Sequence, residues 1–322
     1  MITDQINSDF DRARNKALVN DLVSVLSGRE NRLLPFHEIR RRLNPEGESY
    51  RGIQTVPISQ IVGSMDRYQD FDRAFLPRKK ITQGRWKNVD RAYYEDVDLP
   101  PVQLYKVGDV YFVKDGNHRV SVARERGVEF IDAEVIEGHV RVPLSSQMST
   151  MELLLQAEYA EFLRHTDLDK LQPDHDIRPT QLGRYDEIWH HIELHRQWLS
   201  AIWHREATVH EAVNDWYTYI YMPIVQVVRD RGVLREFPHL TEADIYLWVM
   251  KHRHVLEDEK GQDVGPVASA QDYADMMTRP LSVGDRMRSL IAGSDTRRSP
   301  DAEEERERRR RRLRRWAKPR AR

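Results

Sequence analysis

Cysteine is absent from all 322 residues, which excludes disulfides, thiolate metal sites and cysteine nucleophiles. No run of about 18 apolar residues occurs either, so no transmembrane helix is expected. The most apolar stretch, Trp216 to Val228, contains Pro223 and Gln226 and reads as a buried core helix. The opening segment Met1-Ile-Thr-Asp-Gln-Ile-Asn-Ser-Asp9 has neither the basic start nor the apolar stretch of a secretory signal, and a cytoplasmic location is the expectation. No internal repeat is visible.

Net charge is nearly absent too, at −1 with 32% charged residues. The balance is local, not uniform. Ten arginines and one lysine against one glutamate give residues 306–322 a charge of +10, so the rest of the chain carries −11. The body is acidic and the tail basic, and they call for separate readings.

Periodicity organises the body. Residues 3–27 read as an amphipathic helix with Gly28 as its stop, and Leu33 to Leu43 as a second helix starting near Pro35. Residues 44–55 read as loop, Val56-Pro57-Ile58 as a short strand and 59–62 as a helical turn. Residues 63–101 have little periodicity and read as a long loop packed over a site. Val102–Val107 and Val110–Val113 alternate, and Gly108-Asp109 between them supplies the positive φ of a hairpin turn. A helix from about His118 to Arg126 follows, stopped by Gly127, and Phe130–Ile136 returns as a strand. Beyond Pro143 the pattern turns helical over 149–165, 184–204 and 208–231, the last interrupted by Pro223. Thr241 and Asp244 form a capping-box pair at the start of a further helix.

The loop Asp115-Gly116-Asn117-His118-Arg119 carries the chemistry. A helix N-terminus offers unpaired N–H groups and the positive end of the macrodipole. Gly116 leaves room for an anion against the backbone, Asn117 suits an N-cap, and His118 and Arg119 add donors to phosphate oxygens. Asp115 then stands where it could hold Mg²⁺ or take a proton from an incoming hydroxyl. The bland reading of the same residues is an ordinary Asp-Gly turn with an ordinary cap.

Val113-Lys-Asp-Gly-Asn-His-Arg-Val-Ser-Val-Ala-Arg-Glu-Arg-Gly127 resembles the central motif of the ParB/sulfiredoxin superfamily, in which a strand, a Gly-x-x-Arg loop and a helix hold nucleotide phosphates. Val56-Pro57-Ile58 with Ile61 resembles its opening segment, and Leu99-Pro100-Pro101-Val102 its strand lead-in, so the likeness covers roughly residues 54–137. Sulfiredoxins place a catalytic cysteine in this loop, where this chain has Asn117, and sulfinic acid reduction is excluded. CTP-hydrolysing partition proteins carry Gly-Glu-Arg-Arg and a later Asn-x-x-Arg segment; only Gly116-Asn-His-Arg119 has a counterpart. Free-serine kinases of the fold carry Asp-Gly-His-His-Arg, which Asp115–Arg119 matches except at Asn117. The resemblance implies a nucleotide (ATP, ADP or CTP) with Mg²⁺. Residues 183–261, with Leu182-Gly-Arg-Tyr-Asp-Glu-Ile-Trp189 and Leu240-Thr-Glu-Ala-Asp-Ile-Tyr-Leu-Trp248, resemble the helical domain of an uncharacterised bacterial family, some of whose members are labelled lipopolysaccharide-kinase-like.

Other groupings have two readings each. His191 and His195, one helical turn apart with His190, His204 and His210 nearby, are a metal pair or a polar helix face. The aromatics from Trp189 to Trp248 are a stacking platform for bases or, more simply, core. Arg67, Asp70, Asp72 and Arg73 bring a base and a phosphate ligand, Arg67, or are surface ion pairs. Arg308, Arg309, Arg310, Arg311, Arg312, Arg314 and Arg315 neutralise nucleic-acid phosphates or form a solvated tail.

The expected architecture is therefore α+β: N-terminal helices (1–53), a small ParB/sulfiredoxin-like mixed domain (54–148), a mostly α-helical domain (149–260), a linker (261–300) and a basic tail (301–322). The expected function is phosphotransfer or NTP hydrolysis. Asp115 and His118 are its catalytic candidates, and Gly116, Asn117, His118, Arg119 and Arg67 its phosphate ligands, with Mg²⁺ held by Asp115. The competing class is a non-enzymatic DNA-associated regulator, transcriptional or partition-type, with the tail on nucleic acid.

Overall fold

Helices and one sheet make up the chain in a computed structural model, which describes residues 2–27, 31 and 33–278. The first part of the chain runs α1 (Ile2–Ser27), β1 (Leu34–Pro35), α2 (Phe36–Leu43), β2 (Glu48–Pro57), β3 (Ile61–Ser64), α3 (Gln83–Tyr94), β4 (Val102–Val107), β5 (Val110–Asp115), α4 (Asn117–Glu125) and β6 (Phe130–Gly138). Seven helices follow: α5 (Thr150–Thr166), α6 (Leu168–Leu171), α7 (Arg184–Trp203), α8 (Val209–Trp216), α9 (Met222–Asp230), α10 (Glu242–Lys260) and α11 (Pro266–Thr278). Among these helices none is long and apolar enough to cross a membrane.

The six strands form one mixed sheet in the order β1-β3-β5-β4-β6-β2. The hairpin β4–β5 lies at its centre, antiparallel, with β3 parallel to β5 and β6 parallel to β4. Successive side chains on a strand point to opposite faces, so the alternation in these apolar strands builds two cores at once. Val102, Leu104, Tyr111, Val113, Ala133 and Val135 face α4, with Phe71 and Phe75 completing that layer. Tyr105, Val107, Val110 and Phe112 face the other way, onto Phe36 and Ile39 of α2 and Leu153 and Ala157 of α5. This second core continues without a break into α7–α11, through Ile188, Trp216, Tyr246 and Tyr273.

α1 buries Phe10, Ala13 and Ala17 against Trp86 of α3 and Val122 of α4. Trp86 sits edge-on to Phe10 at 5.5 Å and donates its indole N–H to Ser121 Oγ at 2.9 Å. Arg126, just beyond α4, donates to the buried Asp90 at 2.8 Å. α4 is thus held between the sheet and α3.

Several segments depart from the sequence reading. Residues 44–55, read as loop, are mostly β2, an edge strand antiparallel to β6. Only Val56 of this strand is buried, so the alternation that announces a strand is missing. The stretch 63–101 contains α3, and the linker beginning at 261 contains α11, packed on α9 and α10. Residues 1–53 supply β1 and most of β2 as well as helices. Pro223 does interrupt the helix around it. A π-helical turn over Tyr217–Tyr221 joins α8 to α9, and Pro223 occupies the first turn of α9, where its missing N–H costs least. The Thr241–Asp244 capping box forms with both of its bonds, and so do boxes at Ser149–Glu152 and Thr208–Glu211.

Candidate functional site

β5 ends at Asp115 and α4 begins at Asn117, with Gly116 between them at φ 101° as the N-cap residue. That conformation belongs to glycine. A Cβ built there would lie 2.6 Å from Val102 Cγ1, so the neighbouring strand by itself already requires glycine here. Asn117 is not the cap that its type suggested. It occupies the first helical position, and no side chain caps α4, so its leading amides keep the positive end of the dipole open.

Asn117 is 6% exposed, and its Oδ1 is buried without a hydrogen-bond partner. The next residue repeats the pattern: Nδ1 and Nε2 of His118 are both buried and unpartnered, with Phe71 edge-on to the ring at 5.3 Å. Burial, and then the positive charges of Arg67 and Arg85, lower the His118 pKa to about 4, so the ring is neutral near pH 7. Each unsatisfied buried polar group costs about 1–3 kcal/mol. The two residues that bury these three atoms are among those lining a cleft of about 380 Å³, whose other walls include Arg67, Arg85, Asn88, Leu99 and Pro100.

The remaining candidates divide. Arg119 donates Nη1 to the carbonyls of Pro100 and Pro101 at 2.5 and 2.8 Å, and Nη2 to Asp115 Oδ2 at 2.6 Å. Its guanidinium clamps the lead-in to β4 onto α4 and has little left for a phosphate. Asp115 stands at the rim with 69% of its side chain exposed, and its Oδ1 makes no hydrogen bond among the described residues. Arg67 reaches Asp70 at 3.2 Å, which also takes Lys79 at 3.0 Å. Asp72 is buried under the loop, accepts from Asn20 Nδ2 at 2.9 Å and the Leu76 N–H at 2.8 Å, and has its pKa raised by burial. It shapes the loop that carries Phe71 and does not line the cleft. Among the described residues the Arg73 side chain reaches the Met148 carbonyl, at 3.4 Å.

Arg85 and Asn88 are the residues that the sequence reading missed. They come from one face of α3, and neither side chain makes an ion pair or hydrogen bond among the described residues. The helical spacing of Trp86, Asp90 and Tyr93 was a signal for α3, masked by a charged residue in the buried stripe.

Two of the three histidines of α7, His191 and His195, have side-chain partners. His191 Nδ1 bonds Tyr246 Oη at 3.0 Å, and His195 Nε2 bonds Asp215 Oδ1 at 2.6 Å. Among the described residues no group of three or more His, Cys, Asp or Glu is placed to hold a metal ion. Of the aromatics, Trp216, Tyr221 and Tyr246 are core, whereas Trp198 and Tyr219 remain exposed. Arg308 to Arg315 lie outside the described residues. No protein-family model matches the chain, and no curated protein matches it.

Proposed function

We propose that the chain binds a nucleotide through its phosphates at the N-terminus of α4 and acts on it as a phosphotransferase or NTP hydrolase. One observation carries the binding: the unpartnered Asn117 Oδ1 and His118 ring nitrogens lie beside two arginines at an uncapped helix start. Backbone amides and the helix dipole take phosphate oxygens there. Arg85 and Arg67 add charge, and the neutral His118 offers one N–H and one lone pair. Asn117 Oδ1 accepts from a hydroxyl or an amine of the ligand. The phosphotransfer half rests on the resemblance of Asp115–Arg119 to the free-serine kinase loop and on Asp115 at the rim. A Mg²⁺ ion arriving with the nucleotide would supply charge neutralisation on the phosphates, with Asp115 as the side chain to hold it.

The test is a thermal-shift series with ATP, ADP, CTP and GTP plus Mg²⁺. Ligand at 100 times its Kd stabilises the fold by about 2.7 kcal/mol, a rise of several degrees. Arg85→Ala, an exposed change, is expected to weaken the response about tenfold in Kd. Asp115→Asn is expected to remove turnover and keep binding. A wild type that responds to none of the four overturns the reading.

A further inference from the structure

A second concave region lies in the helical part of the chain and shares no residue with the cleft at α4. It is a cavity of about 720 Å³ between α7, the end of α8, the π-helical turn and α10, a size that suits a small organic molecule. Its walls are aromatic and aliphatic, and several are left uncovered: Trp198 is 56% exposed and Tyr219 67%. The π-helical turn places Tyr219 and Ile220 on the wall, and such wide turns recur at functional sites.

Charge sets the class of ligand. The lining carries three carboxylates (Asp215, Glu257 and Asp263) and one guanidinium, Arg253, together with His191, His195 and His254. Counted with neutral histidines, the lining has a charge of −2. Arg253 is bound through Nε to Asp263 at 2.8 Å, with a second bond from Nη2, so these two charges offset each other; the excess negative charge rests on Asp215, which meets His195 Nε2 at 2.6 Å, and on Glu257, 3.6 Å from His254 Nδ1. An anion would meet repulsion here. A cation would meet negative charge and the electron-rich faces of indole and phenol rings, which attract cations. The same surface already holds one such contact, with the Arg205 guanidinium 4.7 Å from the ring centre of Trp203, which also lines the cavity.

We infer that this cavity binds a small organic cation with a flat apolar body, an amine or quaternary ammonium seated against Trp198 and Tyr219 with Asp215 and Glu257 as counter-charge. The site is independent of the nucleotide reading.

Three probes of similar shape test it on the full chain by calorimetry and tryptophan fluorescence: benzyltrimethylammonium, its neutral carbon isostere neopentylbenzene, and the anion benzylphosphonate. The cation is expected to bind about tenfold more tightly than the neutral probe, with the anion weakest. Trp198→Ala and Glu257→Gln, both at exposed positions, are expected to weaken cation binding about fivefold without moving the melting temperature. Equal binding of cation and neutral probe would reduce the site to an apolar hollow and overturn the inference. Unchanged affinity in both variants would do the same, as would failure of all three probes to bind.

Discussion

The cleft at α4 and the cavity at α7–α10 treat polar atoms in opposite ways. At α4, Asn117 and His118 bury three hydrogen-bonding atoms with nothing to bond. At the cavity, the Trp216 N–H donates to Tyr246 Oη at 2.9 Å, and that hydroxyl in turn meets His191 Nδ1. His195 is similarly bonded to Asp215. Among the residues that line the cavity, what is left unsatisfied is apolar area, in Trp198 and Tyr219, whereas Tyr221 Oη at the end of the π-helical turn is buried without a partner. Unpaired polar atoms in the interior cost stability, and a ligand able to pair them would restore it. A chain that exposes aromatic faces gives up less, because water tolerates a lone exposed ring. The two regions thus invite different partners and respond differently to mutation.

The largest effect expected is at Gly116. Gly116→Ala combines a positive φ with a Cβ driven into Val102, and should destabilise the fold by about 3 kcal/mol in urea titration. Val102→Ala opens that space, so the double variant should recover part of the loss, a coupling read by a double-mutant cycle. Strict additivity would remove Val102 as the obstacle and leave the positive φ as the whole cause.

The second effect is on pH dependence, because each region holds a histidine lowered to about 4: His118 unpartnered, His191 hydrogen-bonded, both mainly by burial. Unfolded histidine titrates near 6.5, so between pH 6.5 and 4 the unfolded state binds more protons and folding stability falls as pH falls. Each histidine contributes a slope of up to about 1.4 kcal/mol per pH unit within that window. His118→Leu should remove its share. A bound phosphate should raise the His118 pKa alone, so nucleotide binding near pH 5.5 should take up a proton, measurable by calorimetry in buffers of different ionisation enthalpy. Binding with no proton uptake would place the anion away from His118.

The smallest effect is one of sign. His118→Leu discards two unpaired nitrogens beside Phe71 and should stabilise the ligand-free protein by about 1 kcal/mol while removing its nucleotide response. Tyr246→Phe removes the group that Trp216 and His191 share, and should destabilise by a similar amount. Melting temperatures that move in the same direction for both would erase the contrast between the regions.

How much of this was legible in the residues depends on what each signal reports. The hairpin β4–β5 and the return strand β6 were readable because their alternation is strong and glycines mark the turns at 108 and 127. The Thr241–Asp244 box was readable because capping is local in sequence. β2 was not, since an edge strand with one buried residue has no alternation to show. The loop Asp115–Arg119 was readable as a helix start, but the division of labour within it was not. Arg119 looks like a phosphate ligand until Pro100 and Pro101 arrive from another segment to occupy it. Arg85 and Asn88 enter the cleft only because Trp86 and Asp90 fix the rotation of α3 against α4, a tertiary fact.

Gly116 has a consequence for directed evolution of this loop. In a saturation library screened only for soluble expression, position 116 should come back as glycine, because Val102 enforces it before any ligand is offered. Positions 117 and 118 should drift toward apolar residues in the same screen, relieved of their buried polar atoms. Only a second round, with the library sorted on a nucleotide, should pull Asn117 and His118 back. The positions that revert between the rounds, and not those that never vary, would then mark out the binding surface.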